Sequence, residues 1–244
     1  MSSNRKAGAR VAVVKNLAAV KKKPDVTAAL RAAIIGGKFM PSERLIEIEL
    51  AQRFKTNRVQ IRTAFSKLES EGLVVSEPNR GARVRVVTAE EALEITEARA
   101  MMEVLVAEKA AERATGDDVA KLQAILGRMR ITIAAGDLLA YSSLNGELHT
   151  ELRRIARHAT ATRILALLNS QVVRFQFRAI LIPGRAAKSM AEHEAIVDAI
   201  KARDAERARV AMTRHLAQVV DALRQAIGSQ QAQGALAASA IAFA

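Results

Sequence analysis

Apolar residues recur at helical spacing near the start of the chain. Val26, Leu30 and Ile34 lie four residues apart, and Gly36 and Gly37 end the run as glycines at helix C-termini do. Side chains at this spacing share one face of a helix, and that face can pack against a core. The pattern therefore predicts a first amphipathic helix that stops at the two glycines.

Two further helices are predicted close behind the first. A short strand at residues 44–46 leads into the second helix, whose apolar positions extend to Phe54. Asn57 is placed to cap the third helix, with Gln60 at the capping-box position, and that helix continues to Gly72. Two helices joined by so tight a turn are typical of a helix-turn-helix unit.

A β-hairpin is predicted after the third helix. Residues 73–77 and 82–87 are rich in β-branched side chains and flank the turn at residues 78–81. They predict a two-stranded wing. Residues 24–87 are therefore expected to form a winged helix-turn-helix domain of three helices and this wing.

The remainder of the chain has helical spacing almost throughout. Breaks at glycine and proline divide it into six predicted helices, at residues 88–114, 117–134, 137–157, 160–181, 186–202 and 204–227. Residues 88–228 are expected to form an all-α six-helix bundle, and the Gln- and Ala-rich residues 229–244 a flexible tail. The fold class is therefore mainly α.

Basic residues are concentrated in the N-terminal third. Residues 1–86 hold 18 Lys and Arg against 7 Asp and Glu, whereas residues 87–244 hold 20 against 18. Residues 1–23 carry seven basic residues, no acid and little apolar periodicity, and are predicted to be a disordered basic tail. Double-stranded DNA is the expected polyanion partner, although such a tail also suits RNA, an anionic membrane surface or solubility alone.

Two absences limit the classes of protein. The chain has no cysteine, which excludes disulfides and thiolate zinc sites. It has no run near the roughly 20 apolar residues that a membrane span needs. We therefore expect a soluble, cytoplasmic protein with no membrane partner.

The third predicted helix has a polar face suited to reading DNA. Arg58 and Arg62 lie one turn apart at its start, opposite the apolar side. Arginine suits bidentate contacts with guanine or phosphate, although any one of these side chains could be an ordinary surface charge. The predicted DNA contacts, on this helix, the preceding strand and the wing tip, are Arg44, Asn57, Arg58, Gln60, Arg62, Thr63, Asn79, Arg80 and Gly81.

Residues 42–87 resemble the DNA-binding domain of the GntR family of bacterial regulators. The matching features are the basic helix start at Arg58, Arg62 four residues on, the LESEGLV exit and the Asn-Arg-Gly wing tip at residues 79–81. The resemblance implies that the helix N-terminus enters the major groove and the wing tip the minor groove. Asn57 stands where serine is usual; both residues can cap a helix, so the difference concerns base preference rather than fold.

All four histidines lie in the predicted helical domain. Asn145 and His149 are four residues apart and share a helix face, and His193 and His215 come from two further helices that could converge on them. Three imidazoles and one oxygen would suit Zn²⁺ or another first-row divalent ion. Exposed histidines with no metal are the common alternative, and we assign His158 to the surface.

The region from about Glu90 to Leu223 is similar to the ligand-binding FCD domain of FadR-type GntR regulators. Six helices rather than seven imply the smaller, VanR-like branch. Many members hold a divalent metal with an Asp and three His; the three histidine positions match here, but Asn145 occupies the Asp position, which would weaken metal binding or leave the cavity metal-free. The similarity also implies a carboxylate effector, for which Arg99 is the candidate partner, with an intrahelical pair to Glu103 as the alternative.

Together these features predict a transcriptional regulator rather than an enzyme. It would act as a homodimer at an operator, as a repressor in the family's commoner sense, under control of a small organic acid. The alternatives are a metal-dependent enzyme built on the three histidines and a non-specific DNA-binding protein. An H-E-x-x-H motif is absent, and the balanced charge of the helical domain disfavours non-specific binding.

Overall fold

The chain folds into an N-terminal winged-helix head and a C-terminal helical domain. The structure, a computed structural model, describes residues 25–78 and 80–242, without the side chains of residues 174 and 230–242. The predicted basic tail of residues 1–23 and the wing-tip residue Asn79 therefore lie outside the described residues. In the described part, no helix is both long and apolar enough to span a membrane.

The head contains the three predicted helices. Asp25 caps the first by accepting a hydrogen bond from the Ala28 N–H, and Asn57 caps the third by accepting from the Gln60 N–H at 2.9 Å. The side-chain amide of Gln60 accepts from the Thr56 hydroxyl. The elements are α1 (Val26–Ile35), β1 (Arg44–Leu45), α2 (Glu47–Arg53), α3 (Arg58–Ser70), β2 (Val74–Glu77) and β3 (Gly81–Val84).

The wing is a three-stranded antiparallel sheet in the order β1-β3-β2, so the predicted two strands were incomplete. Arg44 lies opposite Arg83, and Val74 opposite Val84. Gly81 permits the close approach of β1: its φ is +86°, and a Cβ there would lie 2.4 Å from the Leu45 carbonyl oxygen. The short strand before α2 had been predicted, but its pairing with β3 depends on contacts distant in sequence.

The head has its own apolar core. Leu30 of α1 and Ile61 and Leu68 of α3 are fully buried, and they pack with Leu45 and Val74 from the sheet. Complete burial of one large apolar side chain stabilises the folded state by about 1.5–3 kcal/mol. Because α3 buries this face, its opposite face, with Arg58 and Arg62, is turned to solvent.

Six helices make up the second domain, and their starts lie within two residues of the predicted positions. They are α4 (Ala89–Arg113), α5 (Gly116–Ala134), α6 (Leu138–Ala156), α7 (Ala159–Ile180), α8 (Arg185–Lys201) and α9 (Ala205–Ala242). The last helix was predicted to end near residue 227, but it continues to Ala242 and includes most of the predicted tail. Alanine and glutamine favour a helical backbone even where no amphipathic pattern is visible.

Helix α4 occupies the centre of the second domain, where it packs against α6, α7, α8 and α9. Its buried residues Val106 and Ala110 belong to a large core that also contains Leu148 of α6, Ile196 of α8 and Met212 of α9. This packing points the inner faces of α6, α8 and α9 toward one another. Those faces carry the predicted metal-binding residues.

A short connection joins the two domains, since β3 ends at Val84 and α4 begins at Ala89. Gln171 of α7 adds a polar contact across the junction. Its Nε2 donates to the Glu71 carbonyl at 3.1 Å, and its Oε1 accepts from Arg85 Nη1 at 3.1 Å. Gly72 lies directly against it: a Cβ there would be 2.9 Å from Gln171 Nε2. The C-terminal end of α3 thus contacts the helical domain through Gln171.

Candidate functional site

The exposed face of α3 carries two arginines that share one acidic partner. Arg62 Nε donates to Glu47 Oε1 at 2.8 Å, and Arg58 Nη2 donates to Oε2 of the same residue at 3.1 Å. The bond from Arg62 lowers the pKa of Glu47. Glu47 lies on α2, and its role was not evident from the sequence. It holds the two guanidinium groups side by side at the start of the recognition helix.

The other predicted DNA contacts border this surface. Arg44 Nε donates to the Arg80 carbonyl at 3.2 Å and so connects β1 to the wing tip. The Thr63 hydroxyl donates to the Val59 carbonyl within α3 at 3.0 Å. Gly81 was predicted as a DNA contact. Its close approach to the Leu45 carbonyl oxygen also explains, from the fold alone, why a glycine is needed at this position.

The structure brings His149 of α6, His193 of α8 and His215 of α9 into one buried cluster. One nitrogen from each ring lies within 4.8 Å of the others, and the ring centroids are 4.5–5.7 Å apart. The convergence follows from the packing of the three helices against α4. This donor set is within reach of a single divalent ion.

The ring nitrogens are available as ligands. Burial, with the nearby His215, lowers the pKa of His193 well below its usual value, so its imidazole is neutral. Among the described residues, neither of its nitrogens has a hydrogen-bond partner. His149 Nδ1 lies 3.3 Å from Glu103 Oε2, and His215 Nδ1 lies 2.7 Å from Glu192 Oε2. A carboxylate on Nδ1 fixes the tautomer that leaves Nε2 free for a metal.

Asn145 supplies an oxygen beside the histidines. It lies one turn before His149 on α6 and lines the same cavity as His149 and His215. Its Oδ1 is buried without a hydrogen-bond partner in the described part of the chain. A buried polar atom without a partner is costly unless a ligand completes it. The residues present thus fit a divalent ion, with a neutral amide where an Asp is usual in the family.

A buried carboxylate organises the wall next to this cluster. Glu103 is fully buried, and its carboxylate faces Arg99 at 3.6 Å and Arg153 at 3.7 Å as well as His149. Burial alone would raise the pKa of Glu103, but His149 and the two arginines lower it to about 2. Glu103 is therefore an intrahelical ion-pair partner of Arg99, as the alternative role of Arg99 predicted.

Arg99 also lines the cavity, so its two proposed roles are compatible. Its Nε is buried without a hydrogen-bond partner among the described residues. With the Gln176 amide oriented to satisfy both groups, the Gln176 oxygen accepts from Arg99 Nη1 and Nη2 at 2.5 and 3.1 Å. Gln176 and Glu103 thus engage the Nη atoms, and Nε is the nitrogen of Arg99 without a partner among the described residues.

The cavity beside the histidines has a volume of about 600 Å³, within the range of small-molecule pockets. Its lining includes one carboxylate, Glu103, and four guanidinium groups, from Arg31, Arg99, Arg153 and Arg185. Arg185 is itself held by Glu192 at 2.9 Å. Arg31 is held by Glu71 at 2.6 Å, so with Glu71, Glu103 and Glu192 counted against the four arginines one positive charge remains in excess, which favours an anionic ligand. Of these residues, only Arg99 and Glu103 had been singled out from the sequence.

His158 lies apart from the cluster, but it is not an ordinary surface residue. It caps α7, because its Nδ1 accepts a hydrogen bond from the Ala161 N–H at 3.2 Å. A side chain placed just before a helix can satisfy one of the free N–H groups of the first turn. His158 is thus a half-buried helix cap, and it lies outside the group of three histidines that could hold a metal.

Comparison with known proteins identifies both parts of the chain. Residues 22–84 match the model for bacterial regulatory proteins of the gntR family, and residues 94–218 match the FCD domain model. The transcriptional repressor RspR of Escherichia coli is 28% identical over 196 residues, which cover 80% of this chain and 86% of that protein. The Uxu operon regulator of Haemophilus influenzae is 29% identical over 211 residues, 76% of this chain and 73% of that protein.

A solved structure, E. coli McbR/YncC, has the same fold. It superposes with a TM-score of 0.68 at 21% identity and covers 82% of this chain and 95% of its own. The FCD model alone spans 125 of the 244 residues, more than half of the chain. The winged-helix head and the six-helix domain therefore make this chain a member of the GntR family of bacterial transcriptional regulators, with an FCD domain.

Proposed function

We propose that the protein is a repressor whose affinity for its operator is controlled by a small carboxylate bound in the helical domain. The observation that carries this proposal is the lining of the cavity. Arg31 and Ile35 of α1 share that lining with His149, His215 and Arg99. A ligand in the cavity would therefore touch the head as well as the helical domain. If the head can take two positions, a ligand that makes better contacts in one of them would shift the population toward that position.

On DNA, α3 would enter the major groove with Arg58 and Arg62 leading. Asn57, Gln60 and Thr63 would supply secondary contacts from the same helix. Arg44 would contact the phosphate backbone, and the wing tip, with Asn79, Arg80 and Gly81, would enter the minor groove. The side-by-side placement of Arg58 and Arg62 on Glu47 supports this arrangement, because it limits their motion before DNA arrives.

In the helical domain, Asn145, His149, His193 and His215 would hold a divalent metal, for which Zn²⁺ is our proposal. An ion whose coordination shell expands beyond these four ligands would also accept an anionic group of the effector. Arg99 would pair with the same carboxylate. Because Asn145 is neutral, the four protein ligands cancel none of the ion's charge, and an anionic effector would bind the more favourably.

Gln171 would link the cavity to the head. Its neighbour Ser170 lines the cavity, while Gln171 itself binds the Glu71 carbonyl and Arg85. A ligand that moves α7 would change these two bonds. Such a shift would move the C-terminal end of α3 and with it the face that meets DNA.

The protein would act as a homodimer held by the helical domain. A pseudo-palindromic operator needs two heads related by a two-fold axis. Met101, Ile131 and Leu139 of the helical domain expose large apolar side chains to solvent, each 70% exposed in the single chain. Burial of such side chains against a second copy would favour association.

A metal-dependent enzyme has less support. The two carboxylates nearest the histidines are each engaged, Glu103 by arginines and His149, and Glu192 by Arg185 and His215. Neither is therefore a free general base. The relatives described above are transcriptional regulators, and this makes DNA binding the first function to test.

The first prediction concerns base recognition by Arg62. Replacing Arg62 with Ala should lower the ratio of operator to random-DNA affinity about 5- to 150-fold, because a groove-facing arginine discriminates by about 1–3 kcal/mol. Arg207→Ala, an exposed arginine on α9, removes the same charge far from α3 and should leave the ratio unchanged. The measurement is fluorescence anisotropy with an operator selected from random DNA. A ratio near one in the unmodified protein would instead indicate non-specific binding.

The second prediction concerns the metal. Bound Zn²⁺ should stabilise the fold by RT ln(1 + [metal]/Kd), so chelation should lower the melting temperature. Asn145→Asp should tighten binding by adding a charged oxygen, His193→Ala should abolish it, and the control His158→Ala should retain it. Elemental analysis and melting curves give the test. If none of these proteins contains metal and none shows a metal-dependent shift in melting temperature, the histidine cluster does not bind a metal.

The third prediction concerns the contact made by Gln171. Gln171→Leu removes both of its bonds across the junction, so amide hydrogen exchange near Gly72 and Arg85 should become faster while the core of the helical domain stays protected. Gln123→Leu is the matched control, since this glutamine is exposed on α5. Equal exchange in the two variants would show that Gln171 does not hold the head.

The fourth prediction concerns the oligomeric state. Light scattering should give twice the mass of one chain for the full protein, and twice the mass of one fragment for residues 88–244 alone. The fragment should fold by itself because the helical domain has a core separate from that of the head. If the fragment is monomeric while the full chain is a dimer, the head rather than the helical domain holds the two chains together.

A further inference from the structure

A second cavity adjoins the first at the junction of the two domains. It has a volume of about 480 Å³ and lies between the head and α7. Ile35, Ser170 and Val173 line both cavities. The two spaces therefore share a wall made of one residue of α1 and two residues of α7.

The chemistry of the two cavities differs. The lining of the second is mainly aliphatic or aromatic and includes Leu73, Val84, Val87, Phe175 and Ile227. Two arginines also line it: Arg85 binds Gln171, Gly72 and Glu91, and the guanidinium carbon of Arg178 lies 5.7 Å from the centre of the Phe175 ring. The first cavity, by contrast, is lined by four arginines and by two of the clustered histidines, His149 and His215. One end of the combined space suits an anion and the other an apolar chain.

We propose that the effector is an amphipathic monocarboxylate with an extended apolar chain. Its carboxylate lies at Arg99 and the histidine cluster, and its chain passes Ser170 and Val173 into the cavity between the domains. This inference rests on the carboxylate effector proposed above and specifies its class. A short acid would fill only the first cavity.

The position of the chain explains how such a ligand would act on DNA binding. Leu73 lines the second cavity, and its neighbour Gly72 contacts Gln171. A chain in this cavity occupies the space between the head and α7 directly. Longer acids therefore change operator affinity more than short ones.

The test is a homologous series of straight-chain acids, from butanoate through hexanoate and octanoate to decanoate, titrated calorimetrically into the full-length protein with Zn²⁺. Affinity should rise about fourfold for each added methylene, as expected for burial of a CH₂ group. Octylamine, with the same chain and no carboxylate, should not bind. Affinity independent of chain length overturns the amphipathic class but not the carboxylate effector. Failure of every acid, with and without Zn²⁺, contradicts the carboxylate effector itself.

A variant in the shared wall locates the passage. Val173→Phe should remove the gain in affinity with chain length, and an unchanged melting temperature would report that the variant is folded. Ile164→Phe enlarges an exposed residue on the same helix outside both cavities and should behave as the unmodified protein. Ser170→Leu provides a second obstruction. If decanoate binds both wall variants as tightly as the unmodified protein, the chain does not pass there and the proposal is wrong.

Discussion

The buried charge of Glu103 constrains the helical domain more than any other single group. A carboxylate without solvent contact is strongly destabilising unless cations and hydrogen-bond donors surround it. Arg99 comes from the same helix, whereas His149 and Arg153 come from α6. The need to neutralise one carboxylate therefore fixes α4 against α6. The carboxylate also faces the His149 ring and so ties the three-histidine cluster to this ion-pair network.

A similar arrangement recurs on the other side of the histidine cluster. Glu192 of α8 is half-buried and accepts bonds from Arg185 and His215; burial would raise its pKa, but these partners lower it. Two histidines thus have an anionic partner, whereas His193 has no hydrogen-bond partner among the described residues. If the histidines hold a cation, the two carboxylates would supply negative charge near it through the rings of His149 and His215.

The junction between head and helical domain is held differently from either core. Each domain buries its own apolar cluster, while the described contacts across the junction include the polar bonds of Gln171 and the two adjoining cavities. A junction that encloses two cavities would leave space for a ligand, and a ligand there would contact both domains. Sensing and movement can therefore arise at one place.

The sequence by itself determined the local structure and much of the chemistry. Periodicity located all nine described helices, Asn57 was recognised as the cap of α3, and the concentration of basic residues indicated which domain meets DNA. The three histidines could be selected because so few occur and because the FCD resemblance assigned them. Each of these inferences uses residues a few positions apart, or a motif that a family shares.

Only the tertiary structure decided which distant residues meet. Three contacts join elements that helical or strand periodicity treats separately. They are the pairing of β1 with β3, the ion pairs of Glu47 with two arginines and the hydrogen bond from Gln171 to Glu71. The wall between the two cavities likewise brings together residues of α1 and α7, which are far apart in the sequence. Periodicity specifies which face of an element is buried, but the partner of that face depends on how all the cores pack at once, and this is the physical reason that the cavity between the domains was not evident from the sequence.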